Sequence, residues 1–342
     1  MTGARIGAIR KLFSGYSGLW ASIMLGCCIF LAGSGFSSPL LARPASHSNS
    51  ALANRLTASQ GCGHASPVTP GTSADQTFAV NPAEALDQHT RLYRVHIPSA
   101  YHNNLPTPLV LYLHGAGGTA AGEDRNSGFT ALAEQDNFIV VYGQGLPDAI
   151  TGQTFWADVG PIDYGIDDVH AVNLMLDDLQ NKFCIDPHRI FATGFSSGGG
   201  MSNMLSCRLA NRIAAVAPVS GNFYTIPGGC HPSRPISVLN IHGTADALLP
   251  YNGFSPDLDP SWPLPPIPQW LQEWAGRDGC NPAPQVFLHT PQVMGEQWTG
   301  CQDGTAIVHY RIEGGGHSWP GPLAGRPFQA IIWNFFQAHP IP

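Results

Sequence analysis

The sequence predicts an α/β protein built on a mainly parallel sheet. Short apolar runs bounded by glycine alternate with segments of helical period, as expected of strands covered on both faces. One run, Ile190 onward, passes through Gly194-Phe195-Ser196-Ser197-Gly198 straight into a helical segment carrying Met201, Met204 and Leu205. Charged residues make up only 11% of the 342, while 39 glycines and 30 prolines supply the turns that such alternation needs. No internal repeat or inter-domain linker interrupts the pattern, so a single domain with helices on both faces of the sheet is expected.

The first 42 residues contain Arg5, Arg10 and Lys11, no acid, and an apolar run from Leu19 to about Ala32. That order reads as a secretory signal over residues 1–42, which makes the protein secreted and extracellular. The apolar run is too short and too broken by glycine for a stable membrane span, so no lasting membrane association is expected. Its removal takes away three positive charges and moves the formal charge from −7 to −10. An acidic exported chain without a basic cluster is a poor nucleic-acid binder. Residues 43–61, rich in Ser and Ala, read as a flexible leader, and the folded domain is expected over 62–342.

Six cysteines lie beyond the signal: Cys62, Cys184, Cys207, Cys230, Cys280 and Cys301. An even number in an exported chain argues for three disulfides, and none has the close spacing of a metal site. The helix after a strand-turn-helix unit should run back past the start of its strand, which pairs Cys184 with Cys207. Cys280 and Cys301 flank adjacent excursions and are expected to join. Elimination leaves Cys62 for Cys230.

Along the domain, Arg91 to Pro98 alternates like a strand, and Pro108 to Leu113 is a short apolar run ending in His114-Gly115-Ala116-Gly117-Gly118. Phe138 to Tyr142 is the next run. A helix should start near Asp167, a good cap, because Val169, Val172, Leu176, Leu179 and Phe183 recur at spacings of three and four. Ile213 to Val219 and Ile236 to Ile241 read as buried strands. The proline-dense stretch from Tyr251 to Pro268 reads as an irregular surface insertion, followed by a helix around Trp270 to Trp274. Ala306 to Ile312 supplies a last strand and Phe328 to His339 a closing amphipathic helix.

The chemistry concentrates at the ends of these strands. Gly-x-Ser-x-Gly between a strand and a helix forces a sharp turn that exposes its central residue, here Ser196, at the positive end of the helix. A serine hydroxyl needs a base to take its proton, and that base needs a carboxylate to fix its tautomer. In the fold that uses such a turn the chain order is serine, acid, histidine. Asp246 in Ile241-His242-Gly243-Thr244-Ala245-Asp246 and His317 in Gly314-Gly315-Gly316-His317 supply that order, each just beyond a strand. Asp257 and Asp259 are the fallback acids. His114 and His242, each followed by glycine, read as loop braces. Attack on an ester creates an oxyanion, for which the backbone N–H groups of Ser197 and Ala116 are the expected donors. Of the aromatic residues near loop ends, Trp156, Tyr164 and Trp319 are the candidate substrate-binding side chains. No metal or cofactor is called for.

The set LHGAGG, ATGFSSGGGMSN, APVSG, HGTAD followed by Pro250-Tyr251, and GGGHSWPG resembles a family of secreted esterases. That family groups feruloyl esterases, acetylxylan esterases and polyhydroxyalkanoate depolymerases, and the resemblance runs from about Cys62 to the C-terminus. Gly61-Cys62-Gly63, and Ile267-Pro268-Gln269-Trp270 leading through Trp274 to Cys280, lean toward the feruloyl branch. The resemblance implies an α/β-hydrolase fold, no cofactor, and a triad of Ser196, Asp246 and His317. It also implies an ester-bearing plant polysaccharide or short polyester as substrate. The leading expectation is release of hydroxycinnamates from cell-wall polysaccharide. The alternatives are hydroxybutyrate oligomers or acetylated xylan with the same triad, and a non-catalytic polysaccharide-binding protein on the same fold.

Overall fold

The apolar runs become the strands of one large sheet in the computed structural model, which describes residues 58–80, 90–148, 151–159, 165–226, 228–254 and 263–342. In chain order the strands are β1 Thr72–Ala79, β2 Thr90–Ile97, β3 Thr107–Leu113, β4 Ile139–Gly143, β5 Leu146–Pro147 and β6 Thr154–Phe155. They continue as β7 Ile185–Phe195, β8 Ala215–Val219, β9 Ser237–Gly243, β10 Gln285–His289, β11 Val293–Trp298 and β12 Ile307–Ile312. The main sheet has the order β1-β2-β4-β3-β7-β8-β9-β12-β11-β10, and β5 with β6 forms a separate small hairpin. The middle, from β4 to β12, is parallel, and antiparallel strands close both margins.

Helices cover both faces because the strands are apolar on both. Along β3, Leu109, Leu111 and Leu113 face one core cluster, while Val110 and Tyr112 face the other. The first cluster receives α3 (Asp168–Lys182), α4 (Ser197–Arg208) and α5 (Ile267–Arg277) through Leu176, Leu205 and Trp274. The second receives α1 (Ala120–Asn126), α2 (Phe129–Asp136) and α6 (Phe328–Ala338) through Ala120, Phe129 and Trp333. Helix α3 starts where its cap predicts: the Asp167 carboxylate accepts the His170 N–H at 2.6 Å. Among the described residues no helix is long and apolar enough to cross a membrane.

The expected signal, most of the leader, and the fallback acids Asp257 and Asp259 lie outside the described residues. The end of the leader is held against the core. Ser59 Oγ donates to Phe183 O at 2.7 Å and accepts the Ile185 N–H, and Gly61 N–H donates to Gln180 O. Strands β1, β10 and β11 were not expected. Strand β10 is largely exposed, with Val286 and Phe287 open to solvent, and carries no alternation to read.

The disulfide pairing differs from the geometric expectation at two of three bridges. Cys62 joins Cys184, Cys207 joins Cys230, and Cys280 joins Cys301 as expected. Helix α4 does not bring Cys207 to the start of its own strand. It packs against β8 as well as β7, and the segment after β8 runs along it, so that Asn222 closes on Gly200 and Cys230 reaches Cys207. The start of β7 is occupied by the N-terminal segment, which delivers Cys62. The Cys62–Cys184 bridge closes 122 residues and Cys280–Cys301 only 21. Replacing the first pair by serine is therefore expected to cost about 4–5 kcal/mol and the second about 3 kcal/mol, read by denaturant unfolding. Equal losses would contradict the ordering.

Burial also sets a pH dependence. Asp278, fully buried at the end of α5, accepts the Ile236 N–H, and desolvation raises its pKa from 3.8 to about 6. The folded state then holds more protons than the unfolded state between those values. The stability this carboxyl contributes is complete below pH 3.8 and is lost as pH rises through 6, a change of about 3 kcal/mol. Asp278→Asn should remove that slope. The difference in Tm between variant and wild type should grow from pH 4 to pH 6, and a constant difference would disprove the assignment.

Candidate active site

The turn at the C-terminal end of β7 places Ser196 at a backbone conformation of φ 56°, ψ −120°, strained for a residue with a side chain. Its N–H donates to Val219 O of the neighbouring strand at 3.0 Å, which fixes the turn to the sheet. The glycine at 198 is required by space. A Cβ there would overlap the carbonyl of Leu113, so any larger residue would push β3 away from the helix start.

The acid and the base come from the ends of two adjacent strands, β9 and β12, and their loops are tied together by backbone. Ala245 N–H donates to Gly315 O at 2.9 Å, and Gly314 N–H donates to Thr244 Oγ1 at 2.8 Å. The two backbones approach so closely at Gly243 that a Cβ would run into Gly315. From this paired support His317 Nδ1–H donates to Asp246 Oδ2 at 2.8 Å, and Ser196 Oγ–H donates to His317 Nε2 at 2.9 Å. The carboxylate accepts only, so it fixes the tautomer that leaves Nε2 free to take a proton. Asp246 is 4% exposed, and its other oxygen accepts the N–H groups of Leu248 and Leu249 at 2.9 and 2.8 Å. The ring of Phe195, within the turn itself, packs on the imidazole with centroids 4.9 Å apart.

The glycine loop after β3 lies against this turn: a Cβ at Gly115 would stand 3.4 Å from Ser196 Cβ. Among the described residues no protein acceptor takes the N–H of Ala116 or of Ser197. The loop is braced from behind. His114 Nδ1–H donates to Gly115 O, its Nε2 accepts the Gly145 N–H, and burial lowers its pKa, which keeps it neutral. Thr154 carries the flank, accepting Gly117 N–H and donating its hydroxyl to Gly118 O.

Trp156 is part of that brace rather than a wall open to a ligand. It is 4% exposed, stacks near His114, and donates its indole N–H to His114 O at 2.9 Å. The expectation that it binds substrate is corrected accordingly. Tyr164 lies outside the described residues. Trp319 is half-buried beside Tyr112 and Phe129, and its indole N–H has no partner among the described residues. His242 and Phe195 were not assigned a part in the chemistry by the sequence. The bond from His242 to Leu249 O is that of the loop brace expected of it, whereas the part of Phe195 shows only in its packing on His317. Among the described residues no group of three or more His, Cys, Asp or Glu could hold a metal ion.

Arranged in this way, the residues can deprotonate a hydroxyl and stabilise an oxyanion. Residues 100–255 match the family described as Phospholipase/Carboxylesterase. The chain is 32% identical over 253 residues to feruloyl esterase B of Piromyces equi, covering 72% of this chain but 45% of that protein. It is 31% identical over 258 residues to a protein of Aspergillus clavatus named "Probable feruloyl esterase C", covering 72% of this chain and 84% of the other. In fold it is similar to the acetyl xylan esterase from Aspergillus awamori, with a TM-score of 0.56 at 19% identity over 78% of this chain and all of that one. The family match runs through the turn that carries Ser196 and the loop that carries Asp246, and the chain belongs to the α/β-hydrolase esterase family that includes the feruloyl esterases.

Proposed function

We propose that the protein is a secreted serine carboxylic ester hydrolase that releases hydroxycinnamic acids such as ferulate from plant cell-wall polysaccharide. The observation that carries the reading is the continuous relay from Ser196 through His317 to Asp246, with both hydrogen bonds shorter than 3.0 Å. Ser196 Oγ attacks the ester carbonyl carbon as His317 Nε2 takes its proton, and the carbonyl electrons move onto oxygen. The N–H groups of Ala116 and Ser197 receive that oxyanion. Collapse expels the alcohol, which takes the proton from His317, and water activated by the same imidazole releases the acid.

The choice of acyl group rests on relatives named feruloyl esterases, and export is supported by the three disulfides together with the basic-then-apolar opening of residues 1–42. Trp319, two residues after the base in the chain and half-buried beside Tyr112, is the side chain assigned to the aromatic part of the substrate. A panel of methyl ferulate, p-nitrophenyl acetate and hydroxybutyrate oligomers tests the substrate class. Methyl ferulate is expected to give the highest kcat/KM. Turnover of acetyl esters or hydroxybutyrate alone would move the function to acetylxylan or short polyester, and no turnover of any ester would leave a polysaccharide-binding protein.

A further inference from the structure

We propose that His242 is a positioning residue for the acid of the relay: it holds the turn from Asp246 to Leu249 in the form that leaves one carboxylate oxygen for His317. The inference rests on the reading of Ser196, His317 and Asp246 as the catalytic residues.

His242 stands at the end of β9 and is 1% exposed. Its Nε2 lies 2.8 Å from Leu249 O, and a carbonyl only accepts, so Nε2 carries the proton and donates it there. Leu249 N–H in turn donates to Asp246 Oδ1 at 2.8 Å, and Leu248 N–H joins it at 2.9 Å. The imidazole thus holds Leu249 by its carbonyl, and the same residue holds the carboxylate by its N–H. The same Nε2 lies 3.5 Å from Asp246 Oδ2, too far to compete with the 2.8 Å bond from His317. Nδ1 is buried and meets no donor among the described side chains, so the ring is tethered by the Leu249 bond alone.

The surroundings keep this imidazole uncharged. Burial is the largest influence on it and lowers its pKa, outweighing the nearby Asp246, while His317 lowers it further. The other groups on this side are Tyr251, whose ring centroid is 6.1 Å away, His309, which accepts the Tyr251 hydroxyl, and Arg311, opposite His242 in the β9–β12 register. His309 is itself held neutral, its pKa lowered to about 3 by burial. A neutral ring donates to the carbonyl without drawing the Asp246 charge away from His317.

The test uses His242→Leu and His242→Gln in the full chain, assayed on p-nitrophenyl acetate. His242→Leu, which removes the donor, should lower kcat about 10- to 100-fold with KM within about twofold, the range seen when a residue orienting a functional group is lost. Gln places an N–H near the position of the imidazole Nε2–H and should restore kcat to within about threefold of wild type. The low-field proton resonance of His317 Nδ1–H should weaken in the Leu variant and persist in the Gln variant. Wild-type kcat and an intact resonance in folded His242→Leu would overturn the proposal, as would a folded Gln variant as impaired as the Leu one. Should His242→Leu fail to fold, the Gln variant decides alone: retained kcat and resonance support the role, and their loss overturns it. Ser196→Ala separates this question from the parent reading. An inert Ser196→Ala beside a fully active His242→Leu removes only the part given to His242, whereas a fully active Ser196→Ala removes the relay itself.

Discussion

Ser196→Ala is expected to lower kcat by about 10⁴- to 10⁶-fold on whichever ester the protein accepts, with KM within a few fold. The loss is large because nothing else in the turn can take over. Ser197 Oγ, one residue on, is buried and points away from bulk solvent, and no donor or acceptor among the described residues engages it. The N–H groups of Ala116 and Ser197, proposed above to receive the oxyanion, remain in the variant, so a residual rate above that of water is expected. Stability should change little. Alanine keeps a Cβ, so the strain at φ 56° is the same in both proteins, and the Val219 hydrogen bond uses backbone only. A folded variant that retains more than about 1% of wild-type kcat would remove Ser196 from the mechanism.

Asp246→Asn should cost about 10⁴-fold in kcat, comparable to the same change in other serine triads, while the protein stays folded. The hydrogen bonds around the carboxylate dictate how the amide must sit. Two backbone N–H groups, from Leu248 and Leu249, face Oδ1, so the amide oxygen takes that side and the NH₂ is turned toward His317 Nδ1. An N–H facing Nδ1 forces the proton onto Nε2. The imidazole then meets the Ser196 hydroxyl as a donor and has no lone pair for its proton. Kinetics as a function of pH check this. The variant should recover rate at high pH as hydroxide replaces the missing base, and a variant with wild-type kcat at neutral pH would show that another group orients His317.

Much of the fold was legible because the central strands are apolar on both faces and short. Runs such as Leu109 to Leu113 and Val238 to Ile241 leave few readings other than buried parallel strand. The meeting of Ser196, His317 and Asp246 was legible for a related reason: each sits in a glycine-bearing motif directly after such a strand, and parallel strands end on the same side. The margins were not legible. Strand β1 lies in a polar stretch, and β10 is exposed on nearly every residue, so neither leaves a hydrophobic period. The bridges to Cys184 and Cys207 failed for want of a long-range rule. Periodicity shows which side of a helix is buried, but not which of several neighbouring segments lies against it. Trp156 shows the same limit from the other direction. Its place near a loop end was foreseen, yet only the bond to His114 O reveals that it faces inward.

The Cys62–Cys184 bridge is attached at one end of β7 and the nucleophile at the other; Ile185 to Gly194 runs beside Thr107 to Leu113 of β3, a separation of about 20 Å. Thiol reagents should therefore shorten the half-life of the protein at elevated temperature without altering the turnover of the molecules still intact. Preparations kept in dithiothreitol would lose titre over hours while their activity per active site, counted by burst titration, stays constant.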